Sequence, residues 1–280
     1  MNQIEPIFPI EGAILQTMRE AGEILLRARD MEQMKGAIEE KAGTANFVTI
    51  FDVQVQQFLM ERFRQLLPEA GYLAEEEGVC PEQMRKGFCF VIDPIDGTTN
   101  FIHHYDCSVI SVALLKDGEV YFGAVYNPYQ KMLYSARKGQ GAYCNGNRIW
   151  VSKRPLEHAV ISVGTTPYYK EYLMDSTFEA IKTLYQAGGD IRRSGSAAFD
   201  LCMVASGRTE VFLELRLSPW DYAAGSLLVQ EAGGKIAQPN GMPLRMDRAC
   251  PVLASNAVNM EQVWNMMGPY QPSEELFPCV

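Results

Sequence analysis

The chain has 280 residues, 47% apolar and 21% charged, which is ordinary for a soluble globular protein and bounds it to one large domain or two closely joined ones. A formal net charge of -9 argues against a nucleic-acid surface, so nucleic acid is an unlikely partner. Seven cysteines without a CxxC pair read as reduced thiols, and the cytoplasm is the expected compartment. The opening MNQIEPIFPIEGAIL lacks the basic lead of a secretory signal, and the longest apolar run, CSVISVALL at 107–115, is too short for a membrane span.

Residues 12–29 carry apolar side chains at 14, 18, 21, 25 and 28, the stripe of an amphipathic helix. A Gly- and Thr-containing break at 43–45 precedes a second helix over 49–66, with Phe51, Val55, Phe58, Leu59 and Leu66 near one face and Pro68 as its stop. GYLA is a short strand running into Glu75, Glu76 and Glu77. FCFVI at 88–92 has no polar member and reads as a strand buried on both faces, followed by turn-rich DPIDGTTN. Residues 107–115 and 119–126 form a hairpin about a tight LKDGE turn, and MLYSAR with the glycine-rich 139–146 continues the sheet.

From 158 onward strands and helices alternate. Strands are expected at 158–165, at DIRRSG, at 209–215 and at PVLASN; helices at 168–187, 196–207, 221–234 and 257–267. The Asn-Gly and Lys-Arg-Pro cluster at 145–157 suggests a subdomain boundary, giving an α+β part over 1–148 and an α/β part over 149–280.

Four acidic groups stand at segment ends: Asp52, Glu75 with its two neighbours, the pair Asp93 and Asp96, and Asp221. Singly, each has a plain reading. Three glutamates form a solvated face, Asp-Pro and Asp-Gly make turns, and Asp221 suits a helix N-terminus. Together they suit hard cations: Mg²⁺ takes about six oxygen ligands, and two ions roughly 3.5–4 Å apart clamp both the attacking and the leaving oxygen of a phosphoryl transfer. Gly97, Thr98 and Thr99 offer N–H groups and hydroxyls to a phosphate if a short helix opens there. SGSAAFD at 194–200 also opens a helix, and reads equally well as a ligand approach or as a tight packing face. Adjacent His103 and His104 point opposite ways on an extended chain, which disfavours zinc. No dinucleotide, P-loop or nucleophile-elbow motif is present.

These residues carry a resemblance. DPIDGT with NF at 93–101, WDYAAG at 220–225 with Glu231-Ala-Gly-Gly after it, Glu75-Glu76, and the Val48 to Asp52 element stand in the order found in the inositol monophosphatase family. The resemblance implies an α/β (in some schemes α+β) five-layer α-β-α-β-α sandwich of the sugar phosphatase type. It implies metal ligands at Glu75, Asp93, the Ile95 carbonyl, Asp96 and Asp221 for two or three Mg²⁺ ions, and catalytic roles for Asp52, Thr98 and Glu75. Gly97 and Thr98 would hold phosphate, and Gly195, Ser196, Ala197, Glu214 and Asp221 the substrate, with Lys41 on a loop near the metals. A metal-activated water would attack phosphorus in line, without a phosphoenzyme. Lithium sensitivity and a homodimer are implied too. The chain departs from the family pattern at Asp106 and Cys107, where proline and an apolar residue are commoner. The expected activity is inositol-1-monophosphatase on a small phosphorylated polyol or sugar. The alternatives are a fructose-1,6-bisphosphatase, a 3'(2'),5'-bisphosphate nucleotidase, or a regulatory protein contacting RNA or the transcription machinery.

Overall fold

The computed structural model describes residues 8–29, 38–40, 47–76, 78–79 and 86–277. Lys41, Glu77, Cys80, Cys279 and the expected break at 43–45 lie outside them. The outer layer is α1 (Phe8–Arg29) and α2 (Ile50–Leu66), with a two-stranded ribbon of β1 (Ile38–Glu40) and β2 (Phe47–Thr49) between them in sequence. The stripe Ile14, Met18, Ala21, Leu25 and Ala28 is buried, as are Phe51, Val55 and Leu59 of α2. Met60 and Phe63 of α2 join that core, whereas Phe58 and Leu66 are only half-buried.

Beneath these helices lies an eight-stranded mixed sheet: β3 (Gly71–Ala74), β4 (Gly78–Val79), β5 (Phe88–Asp96), β6 (Val109–Lys116), β7 (Glu119–Asn127), β8 (Met132–Arg137), β9 (Gly141–Cys144) and β10 (Asn147–Ile149). Its order is β10-β9-β8-β7-β6-β5-β3-β4, and β3 runs parallel to β5. The β6–β7 hairpin turns on Asp117 and Gly118, with φ of 52° and 85°; the primed two-residue turn requires positive φ at both centres.

β5 continues beyond Ile92, where turn-rich chain was expected. Asp93 pairs with Ser111 and Asp96 with Val109, and the register shifts between them. Between those pairs β5 has one residue more than β6, and it bulges out beside Pro94, which has no N–H to give the ladder. The bulge lets two carboxylates and a carbonyl leave one strand together. Gly97 follows, then α3 (Thr98–Ile102). His103 caps α3 and His104 has a φ of 53°, so the two lie in a turn, not on extended chain.

After a 3₁₀ turn at Leu156–His158 come β11 (Val160–Val163), α4 (Lys170–Ala187), β12 (Asp190–Arg192), α5 (Ala197–Ala205), β13 (Val211–Leu217), α6 (Pro219–Glu231), β14 (Lys235–Ala237), β15 (Cys250–Ser255) and α7 (Met260–Met267). The five strands form a second sheet in the order β12-β11-β13-β15-β14. Helices α5 and α6 lie between the two sheets, and α4 and α7 cover the far face of the second. The layers are thus α-β-α-β-α. The middle core joins Val91, Ala113 and Val125 of the first sheet to Leu201, Tyr222 and Leu228 of the helices and Phe212 and Val252 of the second sheet. Near-total burial of each Leu or Val adds roughly 1.5–3 kcal/mol of hydrophobic driving force.

Candidate active site

The β5 bulge fixes the geometry. Gly97 has a φ of 90°, and a Cβ there would sit 3.1 Å from the Gly195 carbonyl oxygen and 3.2 Å from Asn100 Nδ2. Both conformation and space therefore call for glycine. The Thr98 hydroxyl lies 3.1 Å from Asp52 Oδ1 and 3.2 Å from the Ile95 carbonyl oxygen, the two acceptors within its reach. Asp52, in the first turn of α2, is 1% exposed and stands behind Thr98. Asp93 Oδ1 accepts from the Ile95 N–H at 3.0 Å, which bends the chain back on itself.

Asp96 ties this strand to the middle layer: its Oδ2 accepts from Ser196 Oγ at 2.7 Å and from the Ala198 N–H at 2.6 Å. Ser196 is the N-cap of α5 and also accepts from the Phe199 N–H. Asp221 stands in the first turn of α6, and its Oδ2 accepts from the N–H of the cap residue Ser218 at 2.7 Å. Glu75 follows β3, its N–H bonded to the Ile92 carbonyl at 3.2 Å. Three elements, the end of β3, β5 and the first turn of α6, thus bring Glu75, Asp93, Asp96 and Asp221 to one cleft.

The electrostatics follow from that packing. Burial pushes the Asp93 carboxyl well above its usual range, and Glu75, Asp96, Asp221 and Asp52 push it further. Asp221 is raised in the same way, by burial first and then by Asp96 and Glu75. Asp96 is pushed up to about 6 by burial, against the pull of its Ser196 and Ala198 donors. Tyr168, at the cleft wall, has its phenol raised by burial and then by the Glu75, Asp221, Asp96 and Asp93 carboxylates.

The remaining wall is polar. Glu214 accepts from the Thr166 N–H at 3.0 Å, and its carboxyl is raised to about 7 by burial. Asp200 accepts from Ser194 Oγ at 2.7 Å and is raised to about 7, again mainly by burial. Ser194 in turn bonds the Ser196 N–H and carbonyl, bracing the loop that holds Gly195. Of the residues expected from sequence, Glu75, Asp93, Ile95, Asp96, Gly97, Thr98, Gly195, Ser196, Ala197, Glu214 and Asp221 line the cleft, and Asp52 lies one residue behind it. Gly164, Pro167 and Tyr168 also line it and carry no sequence motif that would have pointed there. Asp106, a departure from the family pattern, is not among the lining residues.

The donor set fits a hard divalent cation. It is all oxygen, and several mutually repelling carboxylates in a partly dry cleft gain from a shared cation. The fit is open: among the described residues no three of these groups close into a ready coordination shell. Asp93, Asp96 and Asp221 each bind protein through one carboxylate oxygen in the bonds above, and each has a second oxygen.

Known proteins place the chain clearly. A family model described as "Inositol monophosphatase family" matches residues 9–267. A protein named "Nus factor SuhB" from Pasteurella multocida (strain Pm70) is 35% identical over 83% of this chain and 86% of its own length. An "Inositol-1-monophosphatase" from Caulobacter vibrioides is 34% identical over 82% of this chain and 90% of its own. The crystal structure of the extragenic suppressor protein suhB from Bartonella henselae superimposes with a TM-score of 0.84 at 30% identity, covering 92% of this chain and 98% of that one.

Proposed function

The chain belongs to the inositol monophosphatase family and is a divalent-metal-dependent phosphomonoesterase; on that premise we propose that it uses Mg²⁺, two or three ions, to hydrolyse small polyol or sugar phosphates, myo-inositol 1-phosphate first among them. The observation that carries this reading is the convergence of four carboxylates from three elements on one cleft, beside a Gly-Thr helix opening.

Glu75, Asp93, the Ile95 carbonyl, Asp96 and Asp221 would hold the ions. When bound, such ions neutralise the carboxylates, polarise phosphoryl oxygens and make water more acidic. The chain supplies the rest. Thr98 Oγ1 is set to accept a proton from the attacking water while its own proton passes to Asp52 Oδ1, 3.1 Å away. The N–H groups of Gly97 and Thr98 would bind phosphate oxygens, and the positive φ of Gly97 lets the ligand approach the backbone closely. Glu214 would accept hydrogen bonds from hydroxyls of the alcohol portion, with Gly195, Ser196 and Ala197 forming the facing wall. Inhibition by Li⁺ and a homodimer belong to the same reading and rest on the family, while subdomains at 1–148 and 149–280 rest on the Asn-Gly and Lys-Arg-Pro cluster at 145–157. Among the described residues no helix is long and apolar enough to cross a membrane.

The test is phosphate release from myo-inositol 1-phosphate, fructose 1,6-bisphosphate and adenosine 3',5'-bisphosphate, in Mg²⁺ and in EDTA. Mg²⁺-dependent turnover led by a polyol or sugar phosphate supports the reading; no release from any of them in Mg²⁺ overturns it. The relative named "Nus factor SuhB" supports a second role in the transcription machinery. Gel shifts with RNA at two salt concentrations test it, because phosphate contacts weaken steeply as salt rises.

A further inference from the structure

The cleft is lined mainly by charged, polar or small groups, and two of its large apolar residues, Ile95 and Leu217, are buried. Tyr168 differs from them. It lines the same cleft and is 45% exposed, so an aromatic ring stands open beside the acidic groups.

The chain around this ring is pinned, and not by Tyr168. Residues Pro167–Tyr169 form a 3₁₀ turn capped by Thr166, whose φ of 44° puts a β-branched residue in the left-handed region. Such a conformation persists only where its surroundings hold it. Here the Thr166 N–H donates to Glu214 Oε1 at 3.0 Å, and the Tyr169 N–H donates to the Thr166 carbonyl at 3.0 Å. Tyr169 packs on the core beneath α4 and α7, with the Arg216 guanidinium 3.7 Å from its ring centre. Arg216 Nε in turn donates to the Leu276 carbonyl at 3.2 Å. Tyr168 contributes to none of these contacts. The turn therefore holds its ring at the cleft wall, two residues from the bond to Glu214, the acceptor assigned above to the hydroxyls of the alcohol portion.

A cyclitol or sugar ring has two kinds of surface. Its rim carries hydroxyls, which suit a carboxylate. Its faces carry C–H groups, which are apolar and slightly positive. The face of an aromatic ring is apolar and slightly negative, and a tyrosine gives up little conformational freedom in making such a contact. An open-chain polyol has hydroxyls but no such face.

We propose that Tyr168 is a specificity-determining residue whose ring packs on the C–H face of a cyclitol or sugar ring, so that the site prefers ring-shaped phosphomonoesters to open-chain ones. The proposal rests on the phosphomonoesterase reading and adds to it the shape of the alcohol portion.

The experiment compares myo-inositol 1-phosphate with glycerol 2-phosphate, a secondary phosphate ester with hydroxyls but no ring. It reads the ratio of the two kcat/KM values in Mg²⁺, with melting curves to check the fold of each variant. Wild type is expected to favour the inositol ester. Tyr168→Ala is expected to lower the ratio roughly five- to tenfold, the size of an aromatic contact, chiefly through KM for the inositol ester. Tyr168→Phe keeps most of the ratio, and Tyr172→Ala, exposed in the first turn of α4, leaves it near wild type. A wild-type ratio at or below one overturns the inference. So does a Tyr168→Ala ratio equal to wild type, whether both substrates hold or fall together, because the ring then does not sense the shape of the alcohol. A Tyr168→Phe ratio as low as that of Tyr168→Ala also overturns it, by assigning the effect to the hydroxyl. A fall of the same size in Tyr172→Ala overturns it as a general effect on the start of α4. Release from neither ester, nor from fructose 1,6-bisphosphate, overturns the phosphomonoesterase reading itself and the inference with it.

Discussion

Gly164 isolates the role of Glu214. Its φ lies outside the left-handed region, so alanine fits the backbone there and the effect of a Gly164→Ala change is one of space alone. The added Cβ would stand 1.9 Å from Glu214 Oε2, 2.0 Å from Cδ and 2.6 Å from Oε1. Since the clash meets the end of a flexible side chain and not backbone, the chain folds and Glu214 swings away. It then gives up the bond from the Thr166 N–H, now 3.0 Å long. A hydrogen bond to a charged group contributes about 1.5–3 kcal/mol, so urea denaturation of Gly164→Ala should show a loss of about 2 kcal/mol. If Glu214 holds the hydroxyls of the alcohol portion, a similar amount leaves transition-state binding. That is a fall of roughly 10–100-fold in kcat/KM for myo-inositol 1-phosphate. Phenyl phosphate, which has no hydroxyl to lose, should fall much less. Equal losses on both substrates, or wild-type kinetics, would refute the placement of Glu214 on the alcohol side.

Asp93→Asn should abolish nearly all turnover, about 100-fold or more, yet stabilise the metal-free protein, since it removes one of several mutually repelling buried carboxylates, by on the order of 1–3 kcal/mol in urea denaturation; a less stable apo protein contradicts this. Glu214 gives a pH test. Its carboxyl is raised from 4.5 to about 7, so between those values the folded protein keeps a proton that the unfolded chain has released, and stability falls as pH rises until it levels off above about 7. Glu214→Gln should therefore gain on wild type in unfolding free energy from urea denaturation between pH 5 and pH 8, by about 3 kcal/mol at most; a gap that stays flat or closes would count against the buried carboxyl. Gly123→Ala acts at a distance. Its Cβ would meet the Ala224 carbonyl oxygen at 2.8 Å and Cα at 2.9 Å, backbone atoms of the helix that carries Asp221. It should destabilise the protein by roughly 1–3 kcal/mol or more and lower activity, read by denaturation and phosphate release; an unchanged melt would mean the sheet and α6 yield easily.

What could be read from the sequence followed from how local each signal was. The stripe from Ile14 to Ala28 repeats over about four turns, so its helix and buried face were legible. Asp93, Asp96 and Gly97 stand within five residues of one another, and their pattern was legible for that reason. The strand through Pro94 was not, because proline and Asp-Gly read locally as turn and only pairing with β6 shows a bulged strand. Strands of two or three residues such as β4, β10 and β14 are too short to show alternation. Tyr168 and Gly164 reach the cleft through long-range packing: the loop before α4 meets β13 only in three dimensions, as the Thr166–Glu214 bond shows across 48 residues. Asp221 was legible as a helix-opening acid, while its nearness to Asp96 depends on the two-sheet arrangement.

The central claim is that Glu75, Asp93, Asp96 and Asp221 form one divalent-cation site beside a phosphate cradle at Gly97 and Thr98. Crystals grown with Mn²⁺ in place of Mg²⁺, together with inorganic phosphate, test it through the anomalous signal of manganese. The account predicts two or three anomalous peaks bounded by those four carboxylates and the Ile95 carbonyl, with phosphate density against the Gly97 and Thr98 N–H groups. Strong manganese peaks elsewhere on the protein, with none among these carboxylates, would contradict it.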